Sequence, residues 1–194
     1  MRLSKPRIAP LSDAELTPEQ AEALEPMRGG GPVAKDGPVL NIFRTLAHAP
    51  KALTRFNQWG GYVLSRRNDL PPREREIVIL RTGFLCKSGY EWTQHSRIGL
   101  REGLSQDEID RIKAGAQAGW SDPDAALIRA TDELHADQFI TDATWGELRK
   151  HFSEKQCMDV VFTAAQYTQV SMILNSFGVQ LDEGQTLDPD LKGF

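Results

Sequence analysis

The chain has 194 residues, of which 40% are hydrophobic and 26% are charged, as is typical of one soluble globular domain. Its formal net charge of -4 provides no general basic field for nucleic acid. No apolar run reaches transmembrane length, and the first twenty residues lack the apolar stretch of a signal peptide. We therefore expect a cytoplasmic protein without nucleic-acid or membrane partners.

The first 38 residues are rich in proline and glycine and contain one predicted short helix. Thr17 is suited to cap this helix, with Pro18 at its first position and Gln20 completing a capping box. The glycine- and proline-rich stretch at 29–32 then interrupts the chain. We expect residues 1–38 to form an arm that lies over the domain or over a neighbouring subunit.

The rest of the chain shows helical patterns, and no segment shows the strict alternation of a half-buried strand. A short helix is predicted over 41–47, and a longer one over 50–66 with Phe56, Trp59 and Val63 on its buried stripe. Further helices are predicted over 73–87, 91 to about 102, 105 to about 115–119, 124–138, 144–151 and 153–177. We expect an all-α domain over 39–180, followed by a polar C-terminal tail over 181–194.

The predicted helix that begins after Ser153 carries more apolar surface than one face requires. Capping boxes begin both this helix and the one that follows Ser105. A helix that is apolar beyond a single stripe lies at the centre of a fold or in a subunit interface. The sequence leaves both placements open.

The stretch 88–95, which reads SGYEWTQH, contains the most informative spacing. On a helix, Glu91 and His95 lie one turn apart on the same face. A carboxylate there can orient the imidazole and hold its tautomer, while the other ring nitrogen handles a proton. The alternative is a structural ion pair on a helix surface.

Glu76 lies among the apolar residues 77–80, where an unpaired carboxylate is costly. A reversal of the chain at 87–89 would bring it towards His95, but Arg73 is also within reach, one turn earlier on the same helix. Both partners remain open. Gly99 continues the face of His95 and is expected to leave room beside it.

Three stretches together, LPPREREI at 70–77, YEWTQH at 90–95 and GLS at 103–105, resemble the carboxymuconolactone decarboxylase family. The alkylhydroperoxidase-like proteins belong to the same superfamily. The resemblance covers roughly residues 40–180. It implies an alkylhydroperoxidase-like helical bundle that assembles as a homo-oligomer, either a trimer or a hexamer.

The peroxidase branch of this superfamily carries a CxxC motif, a histidine four positions later and a glutamate on the preceding helix. Ser88 and Glu91 stand in the places of the two cysteines, while His95 and Glu76 match the histidine and the glutamate. A dithiol peroxidase needs one thiolate to attack the peroxide and a second thiol to resolve the sulfenic acid. The resemblance is therefore closer to the decarboxylase branch, which also lacks the CxxC.

The resemblance implies an acid–base enzyme that needs neither a cofactor nor a metal. Its expected reaction is decarboxylation or another proton transfer on a small organic acid or lactone. The predicted catalytic residues are His95 as general acid or base, Glu91 as its orienting partner or second proton carrier, and Glu76 as a supporting carboxylate.

The predicted substrate-binding residues are Tyr90, Trp92 and Ser88. Two alternatives to the acid–base enzyme remain open. One is a thiol peroxidase that relies on Cys86, with or without Cys157. The other is a non-catalytic oligomeric scaffold.

Overall fold

The computed structural model describes residues 2–30 and 38–193, and in this part of the chain the regular structure is helical throughout. The all-α prediction is confirmed. Short 3₁₀ turns cover Asp13–Glu15, Glu25–Gly30 and Pro189–Leu191. The α-helices are α1 Pro18–Leu24, α2 Asn41–Leu46, α3 Pro50–Val63, α4 Pro72–Leu85, α5 Gly89–Arg101, α6 Gln106–Ala114, α7 Asp122–Asp137, α8 Asp142–His151 and α9 Glu154–Phe177.

The capping signals that were read from the sequence start the helices where they were predicted. The side chains of Thr17, Ser105 and Ser153 each accept a hydrogen bond from the backbone of the third helical residue. The residue at that position returns a bond to the cap, which completes a capping box in all three cases. These starts depend on neighbouring residues alone, so a local pattern is sufficient to locate them.

Helix α4 lies at the centre of the fold, where it packs against α5, α6, α7 and α9. Its residues 75–83 are all buried, as expected for a helix that is apolar on nearly every side. Helix α9 also lies centrally, since it contacts α3, α4, α5, α7 and α8. None of the described helices combines the length and the apolar character that a membrane crossing requires.

Two hydrophobic clusters lie on opposite sides of α4. Ile77 and Leu80 belong to the cluster formed with α6, α7 and α8, whereas Ile79 belongs to the one formed with α1, α2 and α3. Helix α9 contributes to both, through Val160 in the first cluster and Leu174 in the second. Residues at the seam between them are therefore shielded from solvent on both sides.

The buried stripe predicted on α3 is only partly correct. Val63 is fully buried and Phe56 packs against the second cluster, but Trp59 is 41% exposed. Its ring stacks on that of Tyr62, with 5.2 Å between the centroids. Because α3 contacts only one side of the bundle, its face towards Trp59 remains at the surface.

Both ends of the described chain pack on the domain. The backbone N–H of Arg7 donates to the carbonyl of Phe177 at 2.8 Å, so the arm lies over the end of α9 in its own chain. The segment predicted to be a polar tail contains Leu191, which is buried in the first cluster. The predicted break at 29–32 falls partly outside the described residues.

Candidate active site

The turn between α4 and α5 folds α5 back so that it packs against α4. The N–H of Ser88 donates to the carbonyl of Gly83, and the N–H of Lys87 donates to that of Phe84, both at 2.9 Å. This pair of bonds is a Schellman motif, in which Lys87 adopts the left-handed conformation with φ of 55°. Helix α5 then begins at once, which places its face against α4.

His95 lies between two carboxylates at this helix pair. Its Nδ1 is 2.7 Å from Oε2 of Glu76, and its Nε2 is 3.0 Å from Oε1 of Glu91. All three residues are buried, with exposed fractions of 5% for His95, 1% for Glu76 and 3% for Glu91. The structure thus brings the three predicted catalytic residues together.

The alternative partner for Glu76 is wrong. Arg73 faces away from His95 and binds Asp124 at 3.0 Å and Glu108 at 2.5 Å. It therefore joins α4 to α6 and α7. Glu76 comes three residues later and points to α5, where the imidazole satisfies its charge.

The two contacts of the imidazole differ in geometry. The contact between Nδ1 of His95 and Glu76 is a hydrogen bond, which fixes one face of the ring. The contact between Nε2 and Glu91 is close but is not aligned as a hydrogen bond, and Oε1 of Glu91 has no hydrogen-bond partner among the described residues. Oε1 of Glu91 is thus held by its ion pair with His95 and retains the capacity to accept a hydrogen bond from a third group.

The electrostatics of the cluster favour the charged imidazole. Burial opposes the charged form, but the negative charges of Glu76 and Glu91 and the contacts they make outweigh it, raising the pKa of His95 to about 10. His95 is therefore protonated at neutral pH. In that form both ring nitrogens carry a hydrogen and the ring acts as an acid.

A cavity of about 80 Å³ adjoins this cluster. It is several times larger than the space one water needs, so it accommodates a compact small molecule. Helices α2, α3, α5 and α9 enclose it, and most of its wall is aliphatic or aromatic. The main polar groups in the wall belong to Asn57, Glu91, Gln94, His95 and Gln166.

Of the predicted substrate-binding residues, Tyr90 is the one that lines this cavity. Its hydroxyl, however, donates to Oδ2 of Asp182 at 2.6 Å, so the contact that it offers inside the cavity is its ring. Burial and the neighbouring Asp182 charge raise the pKa of Tyr90 well above its ordinary value. The hydroxyl therefore keeps its proton and anchors the C-terminal segment to α5.

Trp92 and Ser88 lie outside the cavity. Nε1 of Trp92 donates to Oδ2 of Asp188 at 3.0 Å, and its ring belongs to the first hydrophobic cluster. Ser88 is completely buried at the start of α5. Gly99 also differs from expectation, because a Cβ there would lie 3.0 Å from Leu104, so the glycine permits packing of the core rather than opening the cavity.

Several residues of the site were not found from the sequence. Asn57 and Gly60 come from α3, and Gln166 and Tyr167 come from α9. The ring of Tyr167 meets that of His95 edge to face, with 4.9 Å between the centroids. The one available signal was Gln166, a long polar residue within the otherwise apolar centre of α9.

The two cysteines are separate from this cluster and from each other. Sγ of Cys86 lies 3.7 Å from Nδ1 of His135, and burial raises the pKa of its thiol. Cys86 lies near Ser171, whose hydroxyl partly offsets that rise. Cys157 precedes Ser171 by fourteen positions on α9, which corresponds to roughly 21 Å along a helix. Cys157 is therefore too far away to resolve an oxidised Cys86 in this fold.

Comparison with known families and structures agrees with the fold. The sequence profile of the carboxymuconolactone decarboxylase family matches residues 50–133, which span α3 to most of α7 and include all three residues of the cluster. No curated protein matches the chain.

Solved structures with a similar fold come from proteins of low sequence identity to this chain. A peroxidase-related protein from Ralstonia eutropha, described as an alkylhydroperoxidase AhpD core, has a TM-score of 0.73 and 20% identity over 91% of this chain and 93% of its own. A protein of unknown function from Agrobacterium tumefaciens, described as a putative antioxidant defence protein AhpD, has a TM-score of 0.66 and 18% identity over 71% of this chain and 94% of its own. The debrominase Bmp8 in complex with 2,3,4-tribromopyrrole has a TM-score of 0.73 and 11% identity over 93% of this chain and 94% of its own.

Proposed function

We propose that this chain, which belongs to the carboxymuconolactone decarboxylase family, is an acid–base enzyme that moves a proton at the carbon next to the carbonyl of a small lactone-like molecule. The observation that carries the proposal is the imidazole of His95, held between two buried carboxylates at the wall of a small cavity. These carboxylates raise the pKa of His95 and favour its charged form. The names of the similar structures include peroxidase-related proteins and a debrominase, so the proposal rests on this chain's own residues.

Each of the three residues has a separate role in this proposal. Glu76 accepts the Nδ1 hydrogen of His95 and holds the ring in place. Glu91 is the base, because its Oε1 lies at the cavity wall without a hydrogen-bond partner among the described residues. His95 is the acid, because its Nε2 hydrogen is not committed to an aligned bond with Glu91.

The proposed step conserves protons and electrons within the site. Glu91 takes a proton from the carbon next to the carbonyl, and the electron pair of that C–H bond forms a carbon–carbon double bond. The carbonyl electrons move to oxygen, where the Nε2 hydrogen of His95 stabilises the developing charge. Return of a proton to the same or to a conjugated carbon gives the product.

Decarboxylation follows the same course with a different leaving group. The electron pair of the C–C bond enters the conjugated system as carbon dioxide leaves, and a proton from the site then replaces the lost group. Either reaction needs a carbonyl oxygen next to His95 as the electron acceptor. The two share one acid and one stabilised intermediate, so one assay of proton exchange addresses both.

The thiol peroxidase alternative has less support. The raised thiol pKa of Cys86 lowers the fraction of reactive thiolate at neutral pH. The dithiol mechanism also requires a resolving thiol nearby, and Cys157 lies far along α9. The residues at this site therefore support proton transfer more strongly than thiol-dependent peroxide reduction.

The proposal is tested by deuterium incorporation from D₂O into an unsaturated five-membered lactone, α-angelica lactone, followed by proton NMR. We expect the wild-type protein to accelerate exchange and His95→Gln to lower the rate by roughly 10²–10⁴-fold, the usual contribution of a general acid or base. His151→Gln, which changes an exposed histidine at the end of α8, is the matched control. Equal exchange rates in wild type and His95→Gln would contradict the proposal.

A further inference from the structure

The charge of the cavity wall limits the ligands that can enter. Its described residues include no lysine or arginine, whereas Glu91 lies in the wall and Glu76 lies directly behind His95. With His95 protonated, this group of three carries a net negative charge. The buried guanidinium of Arg75 is outside the wall, where it donates to the carbonyl of Ser65 at 3.2 Å. A ligand carboxylate placed beside Glu91 would therefore meet repulsion, because the positive charge that His95 brings to the wall is already shared between Glu76 and Glu91.

Three of the helices that enclose the cavity each contribute a buried polar atom that has no hydrogen-bond partner among the described residues. These atoms are Nδ2 of Asn57 on α3, Oε1 of Glu91 on α5 and Oε1 of Gln166 on α9. Gln166 and Glu91 are each only 3% exposed. Because buried polar groups are almost always hydrogen-bonded in folded proteins, such a convergence on one cavity points to a ligand that completes the bonds.

Two glycines of α3 leave the wall opposite the amide of Gln166 without side chains. Gly60 faces it, and a Cβ at that position would lie 3.8 Å from Nε2 of Gln166. The neighbouring Gly61 also lines the cavity and has nothing within 4 Å of its Cβ direction. Two adjacent glycines thus leave space between α3 and the polar side chain of α9.

We infer that this cavity selects a compact, uncharged cyclic carbonyl compound that also carries an N–H or O–H donor, and that Asn57 and Gln166 determine this selectivity. The ligand donor meets the free oxygen of Gln166 or Glu91, and the ligand acceptor meets the amide of Asn57. The aliphatic and aromatic remainder of the wall contacts the ring. This inference deepens the proposed function and rests on it for the chemistry of the site. It favours proton transfer on an uncharged substrate over decarboxylation, because a decarboxylation substrate carries a carboxylate.

Three probes with the same number of non-hydrogen atoms separate the possibilities. δ-Valerolactam is uncharged and has both a donor and an acceptor, cyclohexanone has only the acceptor, and cyclobutanecarboxylate is an anion. Binding to the full chain is measured by NMR titration. We expect the lactam to bind roughly tenfold to a hundredfold more tightly than either other probe, as for a site with polar groups that need partners.

Two substitutions assign the preference to the named side chains. Gln166→Leu and Asn57→Leu replace the amides of the wall by an apolar side chain of comparable size, so each should reduce the lactam's advantage over cyclohexanone by roughly tenfold while leaving cyclohexanone binding largely intact. Gln169→Leu on α9 and Gln58→Leu on α3 are the matched controls, since both side chains are exposed outside this cavity. Retention of the helical circular dichroism spectrum shows that each variant is folded.

The inference is overturned if the carboxylate binds as tightly as the lactam, if all three probes bind alike, or if none binds up to its solubility. It is also overturned if the lactam's advantage survives in both leucine variants. The wild-type comparison decides the ligand class even if a variant does not fold. Failure of the proposed function is distinguishable. Because α-angelica lactone has the acceptor but no donor, exchange is measured at a saturating lactone concentration, and selective lactam binding without His95-dependent exchange would then remove the enzyme role and leave the binding site.

Discussion

Nε2 of His95 lies 3.0 Å from Oε1 of Glu91, one turn earlier on α5, without being aligned for a hydrogen bond. Helical spacing brings the two side chains to the same face of α5, but it does not direct a ring N–H at the carboxylate. Glu76, which approaches from α4, forms the aligned bond with the other nitrogen. The pair on α5 therefore retains one donor and one acceptor that a ligand can use together.

The charged imidazole makes stability depend on pH in a defined direction. The pKa of His95 is raised from 6.5 to about 10 in the folded protein, so the folded state binds the proton more tightly than the unfolded chain does. Its stabilising contribution is complete below pH 6.5 and is lost as the pH rises towards 10. Between these limits we expect the free energy of unfolding to fall by about 1.4 kcal/mol per pH unit from this group. Urea unfolding at pH 7, 8 and 9 measures it, and the same slope in His95→Gln would contradict the assignment.

Removal of either carboxylate should lower the pKa of His95. We expect the larger fall for Glu76→Gln, because Glu76 contributes both the stronger charge interaction and the aligned hydrogen bond, and a smaller fall for Glu91→Gln. NMR titration of the imidazole of His95 gives both values. Glu102→Gln, at the exposed end of α5, is the control and should leave the titration unchanged. If the pKa of His95 falls further in Glu91→Gln than in Glu76→Gln, Glu91 and not Glu76 is the main partner of the charged imidazole.

We predict negligible turnover of alkyl hydroperoxides with dithiol reductants. Ser88 and Glu91 stand where a CxxC would provide both thiols, and the pKa of the Cys86 thiol is raised. The measurement is peroxide consumption by the wild type, Cys86→Ser and Cys157→Ser. Robust wild-type turnover that disappears in Cys86→Ser alone would show that this thiol is the catalytic group.

We propose that the chain is a homo-oligomer, either a trimer or a hexamer. Phe139 and Met172 are 61% and 64% exposed, and both lie beside the surface formed by Leu134 and Val161. We expect contacts that bury well over about 1,000 Å² per pair of subunits. Light scattering at micromolar concentration measures the oligomeric state. Met172→Glu should weaken assembly, because it places a charge on the apolar surface that we expect to form the contact. A wild-type monomer under these conditions would refute the proposal.

Two glycines within helices should respond differently to alanine. A Cβ at Gly83 on α4 would lie 3.3 Å from Cγ of Glu91, whereas at Gly146 on α8 it would meet nothing within 4 Å. We expect Gly146→Ala to stabilise the fold by about 0.5–1 kcal/mol through helix propensity. Gly83→Ala should stabilise the fold by less than this or should destabilise it, because the side chain of Glu91 must move to make room for the added Cβ. Thermal unfolding compares the two, and equal stabilisation would show that the α4–α5 contact is loose.

Local sequence was sufficient for features that depend on residues within one helical turn. The caps at Thr17, Ser105 and Ser153 were predicted because a capping box is closed by side chains three positions apart. The approach of Glu91 to His95 was predicted for the same kind of reason, since a helix places positions four apart on one face.

Tertiary packing decided which side chain met which partner between helices. Glu76 had two partners within reach in sequence, and the reversal at 87–89 selected His95, while α6 and α7 took Arg73. Trp92 neighbours Glu91 in the chain, yet one helical step of about 100° turned it into the first hydrophobic cluster and out of the cavity.

The cavity itself depends on contacts between distant parts of the chain. Asn57 and Gln166 are more than a hundred positions apart, and their side chains share a wall only because α3 packs against α9. That packing is set by the burial of apolar area summed over the whole bundle, which no local pattern specifies. The acid–base pair is thus a property of one helix, whereas the space in which it acts is a property of the complete fold.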